Sequence, residues 1–168
     1  HFTGEKRDFF VCKNLTGSVG LQVESVWDFV NTADKYTEAV PVLIKHLTNP
    51  YDSRTKEGIV RALAVKEAKG LANKVVMAEY HKTPKDDHHF RWAFGNTMRV
   101  IVTQDDLDDL IDIVLDESNG ESRHMFVRAL AKLKSHKVQE ALEQLTTDKD
   151  RIVADEAKKA LTRKKPAN

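Results

Sequence analysis

The chain has one cysteine, Cys12, in 168 residues. No intrachain disulfide is open to it, which suits a reducing compartment. No apolar run reaches the roughly 18 residues that a transmembrane helix needs. The N-terminal stretch lacks the hydrophobic block of a signal peptide, although the opening at His1 rather than Met leaves room for a removed leader. A cytoplasmic location is the expectation. Excess charge of either sign is also missing. The 27 basic and 26 acidic residues leave a net charge of +1, so bulk charge points to neither nucleic acid nor membrane, and only its distribution could. Alternation of apolar and polar residues is scarce, so no strands are expected. There is no Gly-rich phosphate loop, Gly-x-Ser-x-Gly elbow or zinc-ligand spacing. Cys12 has no evident His partner and reads as a buried apolar residue rather than a nucleophile. His81, Asp86, Asp87, His88 and His89 are metal-capable, yet His88 and His89 diverge on a helix and no i, i+4 pair with a third ligand is evident. The expectation is a protein without catalytic residues, metal or cofactor.

What the chain does have is a repeat. A twelve-residue unit occurs at Asp52–Leu63, Asp87–Met98, Asn119–Leu130 and Asp150–Leu161, with starts 35, 32 and 31 residues apart. Spacing of this size marks a stacked helical array in which each unit buries its face on its neighbours. With 40% hydrophobic and 32% charged residues, the chain fits one globular domain, 1–168. The repeats are expected at 37–70, 71–103, 105–135 and 137–163, with 1–33 as an N-terminal cap. Phe9, Phe10, Val11 and Leu15 suggest a short amphipathic helix. Val23, Val26, Trp27 and Val30 predict another over 21–31, with Trp27 in the core. The first repeat opens at Thr37 as an N-cap, carries Pro41 in its first turn, and faces Val40, Leu43, Ile44 and Leu47 inward. Gly70 is expected to close its second helix. In the second repeat Leu71, Val75 and Val76 face inward. Glu79 falls in the column of Leu47, Tyr80 fills in, and a polar insertion at Lys82–Lys85 lengthens the loop. Leu107, Leu110, Ile111, Val114, Leu115, Phe126, Ala129, Leu130 and Leu133 line the third repeat. Val138, Ala141, Leu142, Leu145, Val153, Ala157, Ala160 and Leu161 line the fourth.

An apolar helix containing proline, then a turn with Asp or Asn, then a helix with Val-Arg-Ala-Leu (Val60–Leu63, Val127–Leu130) resembles the HEAT repeat family, especially its short bacterial type. The resemblance covers about 37–162. It implies an all-α fold, a right-handed α-solenoid (α-α superhelix) with first helices on the convex face and second helices on the concave face. The family is defined by packing rather than chemistry, so it names no activity. The second unit departs from the pattern with Gly95, Asn96, Thr97 and Met98.

The repeat register also maps the exposed face. With Thr55, Ile59, Ala62 and Leu63 pointing inward, positions 57, 61 and 64 point outward at 100° per residue. Column one is Glu57, Trp92, His124, Asp155; column two is Arg61, Asn96, Arg128, Lys159; column three is Ala64, Arg99, Ala131, Thr162. An aromatic at Trp92 among basic and amide side chains has the make-up of an interface hot spot. The expected site comprises Trp92, Arg61, Asn96, Arg99, His124, Arg128 and Lys159, and the expected partner is a protein with an acidic surface. Alternatives are packing of Trp92 under the insertion or the N-terminal helices, and a structural role for Arg61 and Arg128 between repeats. The main alternative function is nucleic-acid binding, since HEAT-like DNA glycosylases hold DNA with Trp, Arg and Asp, residue types present at Trp92, Arg61 and Asp155. A third is an accessory role like that of HEAT-repeat subunits that handle tetrapyrrole attachment; a purely structural or oligomerising domain is a fourth. Lys56, Arg91 and Arg123 form another column, read as a structural ladder beside the capping Asp52, Asp87, Asn119 and Asp150. The acidic run from Asp105 to Glu117 reads as a solvated face.

Overall fold

The computed structural model describes residues 23–164, and these form nine α-helices with no strand among them. The readings of Phe9 to Leu15 and of Cys12 lie outside the described residues. The helices are α1 (Trp27–Asn31), α2 (Val40–Leu47), α3 (Ser53–Ala62), α4 (Asn73–Lys82), α5 (His88–Ile101), α6 (Leu107–Leu115), α7 (Arg123–Leu130), α8 (His136–Leu145) and α9 (Arg151–Lys164). They pair as antiparallel neighbours, α2 with α3, α4 with α5, α6 with α7 and α8 with α9. The second helices also pack in sequence, α3 on α5 on α7 on α9, and α1 covers the free side of α3. The first helices pack as α2 on α4 and α6 on α8. Between α4 and α6 lies a recess of about 460 Å³, bordered by Met77, Ala78 and His81 on one side and Asp105 and Asp109 on the other.

Polar punctuation sets the helix starts. Asp52 accepts from Thr55 N and from Thr55 Oγ1, Asp87 from Phe90 N, and Asp150 from Ile152 N and Val153 N. Each satisfies amides that the first turn leaves unpaired. Asn119 is the exception and does not cap α7. It sits in a short 3-10 turn, Glu117–Asn119, where its side chain accepts from Arg91 and donates to the Ile113 carbonyl. Gly120 follows at φ +66°, a backbone that L side chains rarely adopt.

Several boundaries differ from the sequence expectation. The helix predicted over 21–31 begins at Trp27, because Asp28 Oδ2 accepts from Glu24 N and Ser25 N and folds the preceding residues into a turn. Trp27 packs on the core but stays half-buried, and its Nε1 is shielded with no acceptor among the described residues. Thr37 opens a 3-10 turn, Thr37–Ala39, and makes no side-chain cap. Pro41 does sit in the first turn of α2. Gly70 does not close the second helix. That helix stops at Ala62, whose carbonyl accepts from Tyr36 Oη at 2.8 Å. The Tyr36 phenol is pushed up to about 12 by burial and by the Glu67 carboxylate. Gly70, at φ +79°, instead turns the chain into α4. Because α4 begins at Asn73, Leu71 is left 63% exposed, and Ala72 takes its inward place.

The departures in the second repeat have physical causes. A Cβ at Gly95 would stand 2.6 Å from Met125 Cβ, so α5 and α7 approach too closely for a side chain there. Thr97, fully buried, donates Oγ1 to the Val60 carbonyl across to α3. Glu79 does fall inward, where Lys56 and Lys82 each reach a different carboxylate oxygen at 2.8 Å. Burial would raise its pKa, but these two ammonium groups outweigh that and hold it below the ordinary glutamate value. Tyr80 is buried beside it.

Candidate functional site

All twelve residues of the three predicted outward columns escape full burial, so the register places them on one accessible side of the second-helix row. Within that side the predicted site residues are not equally free. Trp92 is half-buried and packs against the core. The Arg61 guanidinium lies over its ring, 5.3 Å from the centroid, an arrangement in which the cation meets the negative π face. Arg61 is held there by Glu57, whose Oε1 accepts from Arg61 Nε at 2.7 Å and lies 3.1 Å from His89 Nε2. Arg61 and Trp92 are thus a tied pair rather than two loose side chains.

Two recesses flank this pair. One, about 410 Å³, lies between α1, the 32–37 connection and the end of α3, and Arg61 and Asn96 reach it beside Phe29, Val30, Ala64 and Val65. The other, about 270 Å³, is lined by His88, Trp92, Glu121, Ser122 and His124. His124 Nδ1 is engaged with the Glu121 carbonyl at 2.8 Å, which leaves Nε2 for another contact. Apolar side chains in the first recess, and the Trp92 ring in the second, stand beside polar groups, a mixture that suits insertion of a partner side chain.

The remaining predicted residues are placed differently. Arg128 donates to Glu156 Oε2 at 3.0 Å, and Glu156 is buried, which supports the reading of this arginine as a packing element. Arg99 makes one long side-chain bond, 3.5 Å to Asn96 Oδ1. Lys159 is exposed and makes no side-chain bond among the described residues. The structure therefore brings together Arg61, Trp92, Asn96 and His124, with Arg99 adjoining through Asn96. Arg128 and Lys159 stand apart.

Sequence reasoning missed Glu156, the wall formed by Phe29 and Val30, and His88 as a neighbour of Trp92. Glu156 was detectable. It falls in the repeat column of Gly58, Ala93 and Met125, where a carboxylate needs a buried partner. The α1 wall was not, since it belongs to no repeat. Lys56, Arg91 and Arg123 are all held inside the protein, but only Arg91 meets one of the expected turn residues, Asn119, while Lys56 bonds Glu79 and Arg123 bonds Asp148. Arg123 is 2% exposed, grips both oxygens of Asp148 at 2.7 and 2.9 Å, and bonds the Val114 and Gly120 carbonyls. Arg91 bonds Tyr80 Oη, the Thr83 carbonyl and Asn119. Comparison with protein-family models, with curated proteins and with solved structures finds no match for this chain.

Proposed function

We propose that this chain is a right-handed α-solenoid of four HEAT-like hairpins, capped by α1, and that it binds another protein on its second-helix face without chemistry of its own. The sequential packing of α1, α3, α5, α7 and α9 supports the solenoid reading. The observation that carries the binding reading is Trp92, fixed beneath Arg61 and set between two recesses. A pre-positioned aromatic and arginine bind at low ordering cost, and both are hot-spot residue types. His124 and Asn96 supply polar contacts beside them, and Arg99 and Lys159 favour a partner surface that is acidic.

The test is affinity capture with four forms of the protein: the parent, Trp92→Ala, His124→Glu and Glu140→Lys. Glu140 lies on the exposed side of α8, away from the proposed face. A protein retained by the parent and by Glu140→Lys, and lost from folded Trp92→Ala and His124→Glu, is the expected result. Retention by all four forms sinks the proposal. Circular dichroism establishes that each form is folded.

A further inference from the structure

The C-terminal ends of the second helices carry cations that no carboxylate answers. A helix C-terminus has partial negative charge, so cations belong there. Lys132 donates Nζ to the Arg99 carbonyl in the last turn of α5, and Lys164 at the end of α9 donates Nζ to the Leu133 carbonyl at 2.9 Å, just past α7. These bonds draw Arg99, Lys132 and Lys164 into one strip along the edge of the row. Lys69 directly follows the 66–68 turn, which packs against α5, and so lies beside them. The Lys132 ammonium is held below the usual lysine pKa by burial and by the fields of Arg99 and Lys69.

Capping accounts for the ammonium groups of Lys132 and Lys164. It does not account for Lys69, nor for the Arg99 guanidinium, whose Nε is shielded and unbonded. Among the described residues no carboxylate comes within ion-pair distance of any of the four. Elsewhere, Lys56, Lys137 and Lys149 each meet a carboxylate from another hairpin. Glu67, close to Lys69 in sequence, lines the recess beside Tyr36 instead. Uncompensated like charges on a protein of net charge +1 have their natural complement in an anion.

We infer that this edge binds an extended acidic polypeptide segment, with one carboxylate opposite each helix end. Packed helices stand about 8–10 Å apart. An extended chain advances about 3.3 Å per residue, so the match is one acidic residue in roughly every three. A nucleic-acid strand fits less well, because Lys69, Arg99, Lys132 and Lys164 have no aromatic platform among them on which bases could stack. The inference rests on the reading of an acidic protein partner and assigns that partner's acidic segment to a second place, adjoining the Trp92 face through Arg99.

The test is fluorescence anisotropy at low salt with three labelled probes. One peptide has Asp at every third position among Gly and Ser, a second has the same composition with its Asp residues consecutive, and the third is an oligo-dT of equal charge. The spaced peptide is expected to bind tightest. Lys69→Gln and Lys132→Gln should each weaken it by about threefold, the scale of one exposed charge contact. Trp92→Ala should leave it unchanged, so failure here is separable from failure of the Trp92 face. Lys69 makes no side-chain bond among the described residues, so its variant keeps the fold. Absence of peptide binding, loss with Trp92→Ala alone, or tighter binding of oligo-dT than of either peptide would each overturn the inference.

Discussion

At the scale of single residues, Gly95 and Arg123 show what the repeat alone does not disclose. Gly95 breaks the repeat, and restoring the valine of the first and third units looks like an improvement. The 2.6 Å approach of Met125 Cβ makes it the reverse. Gly95→Val is expected to cost about 3 kcal/mol, by forcing α5 from α7. A urea midpoint equal to that of the parent would refute the close approach. Arg123 belongs to the basic column that reads as a structural ladder. It is buried on Asp148 and two carbonyls, so Arg123→Ala strands a buried carboxylate and should cost about 3–5 kcal/mol in the same measurement. The ladder role of this column was legible because the basic residue recurs beside the turn. The identity of its partner was not. Asn119 and Asp148 meet Arg91 and Arg123 only once the next hairpin is stacked.

At the scale of elements, the Asp-capped starts of α3, α5 and α9 were readable, while the starts of α1, α4 and α7 and the end of α3 were not. Starts are set locally, by an Asp whose carboxylate bonds amides two or three residues on. Asp87→Ala should therefore cost about 1 kcal/mol, an ordinary cap loss. Asn119→Ala should cost more despite its matching place in the repeat, since it frees a buried Arg91 donor. Comparing the two by thermal unfolding checks this, and equal losses would return Asn119 to a capping role. The end of α3 escaped the sequence because Tyr36, 26 residues earlier, takes the Ala62 carbonyl. The start of α4 then shifts with it. Leu71 faces solvent, so Leu71→Lys should change stability by no more than about 0.5 kcal/mol.

At the scale of the molecule, the hairpins are joined by carboxylates buried against cations, and this fixes the direction of the pH response. Burial alone would raise the Asp148 and Glu79 pKa values. Arg123 for the first, and Lys56 and Lys82 for the second, outweigh that and lower both. Groups with lowered folded values contribute stability that is complete above the unfolded carboxylate value of about 4 and is lost as pH falls through the folded ones. The urea midpoint should hold from pH 7 to about pH 5 and decline toward pH 3, and Asp148→Asn should flatten that decline. A midpoint constant down to pH 3 would contradict it.

Sequence by itself determined the helical class, the four hairpins and the columns that face out, because all three follow from local periodicity and recurrence. The inward set Leu43, Leu47, Ile59, Leu63, Phe126, Leu130 and Leu142 is buried as the period requires. Tertiary structure decided the rest. It set which outward residues are free and which are tied, because Arg61, Arg128 and Arg123 acquire partners from other turns or other hairpins. It formed the recess beside Arg61 and Asn96 with a wall from α1, which shares no period with the repeat. It gathered Lys69, Arg99, Lys132 and Lys164 into one edge, because charges about 30 residues apart in sequence become neighbours only when the helices stack.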